Sequence, residues 1–495
     1  MDGADVVIVG GGFAGMCAAR ALSRGHGGRR IVVLEARTGP DPRFRGELMH
    51  PPAVEILSEL GLLGPLLRAG GAPVDGFAVV LESGRSPISL PYAEVVGPSA
   101  TGLAMSHPDM VACLRREVTE DPLIELRTGV RVAALIREGS AVRGVRTASG
   151  EEIRAPLTVV ADGRHSRLRG ALGIPEETRL LSFTAALLVE DAELPRARCG
   201  HVFLGTWGPI LAYPIGGGRV RMCIDLPIDT EKGPEAVLTF LRTECAQHVP
   251  EPLRAAMQRA LDDERRERPE ICANHSITTR RCTLPGVALV GDSGGCSHPI
   301  TATGMTIALH DIRTLAQELD RGGPVDAALD RYQRRRYAFV RAREILAEGL
   351  YDVFRRGDDG ARALRSGLFR YWTSGPRARS ASLSLLSGRE SRLRAFVAEY
   401  LSVLGESTVS VLGGADDTAL EGGRARAARG LARTAYEQLR RTVTLVYEDL
   451  RERAPDARKT PGAPGARNAP RAPGAPSGRR AAAPSDQAQP PAPAA

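Results

Sequence analysis

The chain has 495 residues, 43% hydrophobic and 25% charged, which fits a globular protein with at least one large core rather than a disordered chain. Its formal charge is +8, yet from Arg424 onward there are 14 Lys/Arg against 6 Asp/Glu, so the rest is neutral overall and a basic body built for nucleic acid finds no support. Eight cysteines with no C-x-x-C pair and no secretory signal before them point to reduced thiols in the cytoplasm rather than to disulfides or a metal site, and no apolar run reaches the ~18 residues of a membrane-spanning helix.

In chain order, the β-branched run Val6–Val9 leads into glycines from Gly10 to Gly15. An alanine-rich helical stretch, Met16 to Arg24, follows, and then a second strand, Ile31 to Leu34, closed by Glu35: a βαβ opening. Residues 108–180 alternate helix-like and strand-like segments and end in the strand Leu157–Val160. Short strands at Phe183–Val189, His201–Leu204, Ile210–Ile215 and Arg219–Leu226, separated by Gly or Pro, predict an antiparallel sheet. A helix near 234–247 precedes a return to strand at Val287–Val290. Helices are predicted over 304–320 and 326–357, and 361–450 reads as mostly helical with a Ser/Gly break around 373–391. Beyond Ala454 the Pro/Ala/Gly/Arg composition predicts disorder.

Three turns carry the chemistry. The motif Gly10-x-Gly12-x-x-Gly15 lies between a strand and a helix, where glycines allow a tight turn and close approach to a pyrophosphate at the helix N-terminus. Glu35 is placed to bind adenosine ribose hydroxyls and opposes a 2′-phosphate. A second strand delivers Asp162-Gly163 ahead of a Ser/Arg turn. A third delivers Gly291-Asp292, where Asp292 can hold a ribityl hydroxyl, and Gly304-Met305 then opens a helix whose amides can face a flavin pyrimidine. Singly each is weak.

In this order the three motifs resemble the class A flavoprotein monooxygenases. Further stretches resemble the squalene monooxygenase (squalene epoxidase) family: Arg43-x-x-Gly46-Glu47-Leu48 through Pro51, Pro209-x-x-x-Tyr213-x-Ile215-Gly216 with Arg221-x-x-x-Asp225, His298-Pro299-Ile300-Thr301 up to Thr306, and, late in the chain, Phe369-Arg370-Tyr371 and Leu385–Gly388. The likeness covers about residues 5–412. It implies FAD as cofactor, held by Gly10, Gly12, Phe13, Ala14, Gly15, Glu35, Ala36, Arg43, Leu48, Arg115, Arg131, Asp162, Asp292, Gly304 and Met305. His50 and Phe77 stand where the family has glutamine and tyrosine, and with Tyr213 they are the expected pocket residues. The loss of those polar groups turns the expectation from squalene itself to a squalene-like or other isoprenoid substrate.

The implied fold class is α/β: a Rossmann-type FAD-binding domain with an inserted antiparallel β-sheet substrate domain and a C-terminal helical region. Expected divisions are FAD-binding parts at 1–75, 101–180 and 271–330, substrate-domain strands at 76–100, the substrate domain proper at 181–270, helices at 331–452 and a disordered tail at 453–495. The resemblance implies alkene epoxidation through a flavin C4a-hydroperoxide, with no catalytic side chain and no metal. Partners would be O2, a lipophilic small molecule, and NAD(P)H or a separate flavin reductase as electron source. The competing readings are hydroxylation of an aromatic or polyketide product and alkene saturation as in the geranylgeranyl reductases. Helices 361–412 are expected either to touch the inner face of a membrane peripherally or to form a cap or dimer contact; the resemblance favours the membrane.

Overall fold

The computed structural model describes residues 3–80, 87–205, 207–230, 233–263, 268–413 and 423–453. Residues 1–442 form one compact unit; of the second, 443–495, only the end of the helix Arg424–Arg453 is described. The predicted tail lies from residue 454 on outside the described residues.

The apolar run Val6–Val9 is buried on both faces, as a central strand of a parallel sheet must be. It pairs in parallel with Ile31–Glu35 on one side and Leu157–Val160 on the other. The sheet continues to Ile124–Thr128 at one edge and, past Val287–Leu289, to a short antiparallel strand at the other. Helices Phe13–Ser23 and Gly304–Asp320 pack together against it. This is the doubly wound frame whose strand ends receive a dinucleotide.

The second layer is a seven-stranded sheet, in the order Glu270–Thr279, Glu176–Glu190, Arg219–Leu226, Pro209–Pro214, Cys199–Leu204, Gly76–Val80 and Ile88–Pro91. All pairs are antiparallel except Cys199–Leu204 with Gly76–Val80. Two expected boundaries move. The sheet starts at Glu176 rather than 181 and ends at Thr279 rather than 270, because the strand assigned to the third FAD-binding part pairs along the whole of Glu176–Ala186. Six of its ten residues, from Glu270 to Thr279, are polar, so no apolar run marks the strand in the sequence.

Helices Val325–Arg355, Asp359–Thr373, Pro376–Ser387 and Leu393–Gly413 close over the second sheet. The expected break at 373–391 is itself mostly helix: Ala378, Leu383 and Leu385 of Pro376–Ser387 are buried, and that burial outweighs the poor helix propensity of its serines. A second helix, Leu253–Asp262, follows the predicted one near 234–247 and covers the outer face of the sheet.

Candidate active site

The three turns meet at the strand ends of the first sheet. Gly10 has φ +108°, and a Cβ there would lie 2.4 Å from the carbonyl oxygen of Ala161, so the first turn is pressed against the second. A Cβ on Gly15 would sit 1.7 Å from the Gly10 carbonyl oxygen, and one on Gly291 would be 3.4 Å from Cβ of Ala14, which joins the third turn to the first. Gly12 is different: no heavy atom lies within 4 Å of its Cβ position. The helix Phe13–Ser23 starts there without a side-chain cap and without an acidic residue in its first turn. Free amides and open space at a helix N-terminus suit a pyrophosphate.

Glu35 is held on the adenosine side. Its Oε2 accepts from the Gly11 amide at 2.7 Å and its Oε1 from the Arg37 amide at 2.8 Å, while Arg115 donates through Nε to the Gly11 carbonyl at 2.9 Å. Ala36 and Arg131 are exposed; the Val130 amide bonds the Glu35 carbonyl at 2.9 Å, which brings the segment preceding Arg131 to the end of this strand. At the other end, burial pushes the Asp292 carboxyl up, against the pull of Arg164, Arg45 and Arg169. Gly304 faces it, with 4.0 Å between the Gly304 Cβ position and Asp292 Oδ1, and Met305 is buried against Gly46. Leu48 lies in a short strand paired with Gly102–Ala104. Asp162 has one buried oxygen, Oδ1, with no hydrogen-bond partner among the described residues, and burial raises its pKa. A buried acceptor without a donor is what a cofactor hydroxyl or amide would satisfy. The residues present fit FAD.

Arg43 departs from expectation. Its guanidinium is exposed and tied to Asp41 at 2.7 Å, whereas the half-buried Arg45, two residues on, is one of the cations acting on Asp292. In an irregular loop no periodicity tells which of two arginines turns inward. Arg164, which also bonds the Ala273 carbonyl at 3.2 Å, was equally hidden in the turn after Asp162.

An apolar cavity of about 180 Å³ runs from the loop His298–Ala302 across the second sheet to the C-terminal helices. Phe77, Val79, Val202 and Leu211 line it from the sheet, and Leu346, Leu364, Trp372 and Val403 from the helices. Phe77 is thus where the pocket was expected. His50 and Tyr213 are not in this wall. His50 is fully buried behind Phe77, with Nδ1 accepting from the Tyr92 hydroxyl at 2.7 Å and Nε2 donating to the Thr301 carbonyl at 2.8 Å. It fastens the loop beneath the cavity. Tyr213 instead bonds Glu47 at 3.3 Å, and Arg221 grips both oxygens of Glu47 at 2.9 Å, a buried group that ties the segment entering the short strand Leu48–Met49 to the second sheet.

Burial lowers the His50 pKa to about 4. A histidine whose folded pKa lies below its unfolded value contributes stability that is complete above the unfolded value, about 6.5, and is lost as pH falls towards 4. His50→Gln keeps one donor and one acceptor in the same places without a titrating ring, and it restores the side chain that the resembled family carries there. We expect H50Q to retain FAD at pH 7 and to lose less stability than the parent between pH 7 and 5; an identical pH slope in urea denaturation refutes the assignment.

At the flavin end of the cavity sits a chain of buried polar groups that spacing did not reveal. The His298 Nδ1 accepts from the Ile300 amide at 3.1 Å, so its Nε2 carries the proton and faces Ser182 Oγ at 2.9 Å. Ser182 donates to Asp225 Oδ1 at 2.5 Å and accepts from Asn274 at 2.9 Å. The one legible sign was that Arg221 and Asp225, four apart on a strand, point to the same face.

A Rossmann sheet whose three turns converge, set beside an antiparallel sheet that walls an apolar cavity, defines the fold of the two-domain FAD-dependent monooxygenases. Solved structures share it: Pseudomonas aeruginosa PqsL in complex with 2-aminobenzoylacetate superposes with a TM-score of 0.62 at 24% identity over 72% of this chain and 98% of that one. p-Nitrophenol 4-monooxygenase PnpA from Pseudomonas putida gives 0.67 at 20% identity over 78% and 99%. The profile of the squalene epoxidase family matches residues 154–414, and that of an NAD(P)-binding Rossmann-like domain matches residues 8–45. The mitochondrial squalene epoxidase 2 of Arabidopsis thaliana is 32% identical over 417 residues, 81% of this chain and 70% of that protein; squalene monooxygenase of Mus musculus is 30% identical over 397 residues, 77% and 68% respectively. The chain belongs to the squalene epoxidase family and is an FAD-dependent monooxygenase.

The Asp292→Ala variant is expected to bind FAD about 10–100-fold more weakly, the weight of one hydrogen bond to a charged group. Titration of the apoprotein with FAD by fluorescence quenching checks this; unchanged affinity would place the ribityl chain elsewhere.

Proposed function

We propose that this monooxygenase epoxidises an alkene of a squalene-like isoprenoid. The observation that carries the reading is the continuous apolar cavity that opens on the His298–Ala302 loop, next to Asp292 and the Gly304 helix start. Bound FAD supplies reduction of dioxygen and delivery of one electrophilic oxygen atom. The chain's own residues then have three tasks. The C-terminal helices, through Leu346, Leu364, Trp372 and Val403, exclude water and hold the hydrocarbon in place. Asp162 and Asp292 grip cofactor hydroxyls, and the first turn of Gly304–Asp320 favours negative charge on the neighbouring ring. His298 lines the flavin end of the cavity with its ring fixed, because Nε2 donates to the Ser182 hydroxyl and Ser182 in turn to Asp225, and so it orients the wall against which the alkene lies.

Electrons reach the site from NAD(P)H or a separate reductase. Substrate enters from a membrane surface: the 21-residue helix Leu393–Gly413 is long and apolar enough to cross a bilayer, but it shows Phe396 and Val403 to the cavity and leaves Leu401, Val409 and Leu412 exposed on its other side. A helix apolar on both faces can lie at an interface and pass a lipid inward. The contact is peripheral and cytoplasmic in this reading.

The test is turnover of squalene and shorter polyprenes with ¹⁸O-labelled dioxygen and a flavin reductase, followed by mass spectrometry. One labelled oxygen in an epoxide is the expected result. Saturation of the alkene without oxygen, or label in no product, overturns the proposal.

A further inference from the structure

The cavity wall is not apolar throughout. Among the C-terminal helices, Ser382, Glu399 and Tyr400 line it, the last two from the same helix that carries Phe396 and Val403. Glu399 accepts from the Tyr371 hydroxyl at 2.9 Å and from Ser382, and Ser382 in turn accepts from Trp372 Nε1 at 2.9 Å. The indole proton thereby turns the Ser382 hydroxyl towards the carboxylate and fixes the group's orientation. Each carboxylate oxygen has two acceptor sites and uses one here, which leaves acceptor capacity free. Burial raises the Glu399 pKa. Independently, the Tyr400 hydroxyl is buried and has no hydrogen-bond partner among the described residues.

A cavity built only for hydrocarbon would gain from leucine at these positions and lose from unpaired polar atoms. Both groups gain if the ligand brings a hydroxyl: Tyr400 donates a hydrogen bond to its oxygen, and Glu399 accepts a hydrogen bond from its O–H. The geometry points to a subsite for an alcohol, formed by Glu399 and Tyr400, so that the preferred substrate is an isoprenoid bearing a hydroxyl away from the alkene that reacts. The inference rests on the epoxidase reading for the reaction but not for binding.

Equilibrium binding to the FAD-loaded full-length chain in detergent, without oxygen, tests it with two ligands that differ by one oxygen atom: geranylgeraniol and the hydrocarbon of the same skeleton. The alcohol is expected to bind about tenfold tighter, the worth of one good hydrogen bond. In Glu399→Leu and in Tyr400→Phe that ratio falls towards one because alcohol binding weakens. Equal affinities in the parent protein, or a Glu399→Leu that weakens both ligands in proportion, overturn the inference. Should Glu399→Leu fail to fold, Tyr400→Phe decides alone, since it removes only an unpartnered hydroxyl. A tenfold ratio with no labelled oxygen in either compound leaves the subsite standing and removes the epoxidase reading.

Discussion

Gly15→Val is expected to give a protein that either aggregates or purifies without flavin absorbance. The added carbon would stand 1.7 Å from the Gly10 carbonyl oxygen, a backbone atom that cannot rotate away. Relief requires the helix Phe13–Ser23 to move off the strand end, at a cost of about 3 kcal/mol or more. Gly12→Ala is the paired control. Gly12 has φ −84°, which alanine adopts freely, and its Cβ would meet no other atom within 4 Å among the described residues. Apoprotein stability should therefore change by less than about 0.5 kcal/mol, while FAD affinity is expected to fall, because the methyl enters the open space proposed for the pyrophosphate. Denaturation of the apoprotein and FAD titration separate the two effects. A Gly12→Ala protein that binds FAD as tightly as the parent would mean that the cofactor does not cross this turn.

Asp311→Ala is expected to cost about 3–5 kcal/mol, the usual penalty for stranding one member of a buried ion pair. Asp311 Oδ2 accepts from Arg336 Nε and from the Gly291 amide, both at 3.0 Å, and both side chains are buried. Burial acts to lower the Arg336 pKa, but the carboxylate beside it outweighs this and holds the guanidinium charged. Gly291 immediately precedes Asp292, so the same substitution should loosen the flavin turn and lower FAD content. Urea denaturation read by circular dichroism and by flavin fluorescence checks both. If Asp311→Leu with Arg336→Met recovers stability but not FAD retention, the pair matters for placing the turn rather than for holding the fold.

What could be read from the amino-acid order follows from how local each signal is. The βαβ opening and the helix from Gly304 to Asp320 depend on neighbouring residues, apolar periodicity and glycine, and both stand where expected. The strand Glu270–Thr279 draws its stability from a partner almost a hundred residues earlier, and no apolar run of its own marks it in the sequence. Site residues divide the same way. Glu35 closes a strand and Asp292 follows one, and their direction is set by the backbone. Arg45, Arg164 and the Ser182–Asp225–His298 chain are brought in by tertiary packing, and only the four-residue spacing of Arg221 and Asp225 on one strand hints at the last of them. His50 and Tyr213 mark a finer limit. Motif likeness placed them near the pocket, but only the side-chain contacts reveal that they brace it from behind.

Both sheets are assembled from segments far apart in the chain: Val287–Leu289 completes the first beside Leu157–Val160, and Glu270–Thr279 completes the second beside Glu176–Glu190. A nascent polypeptide emerging from the ribosome therefore carries two open sheets with bare apolar edges until nearly three-fifths of it has been made. Such high contact order makes folding slow and leaves the half-built protein dependent on chaperones for longer than its final compactness would suggest.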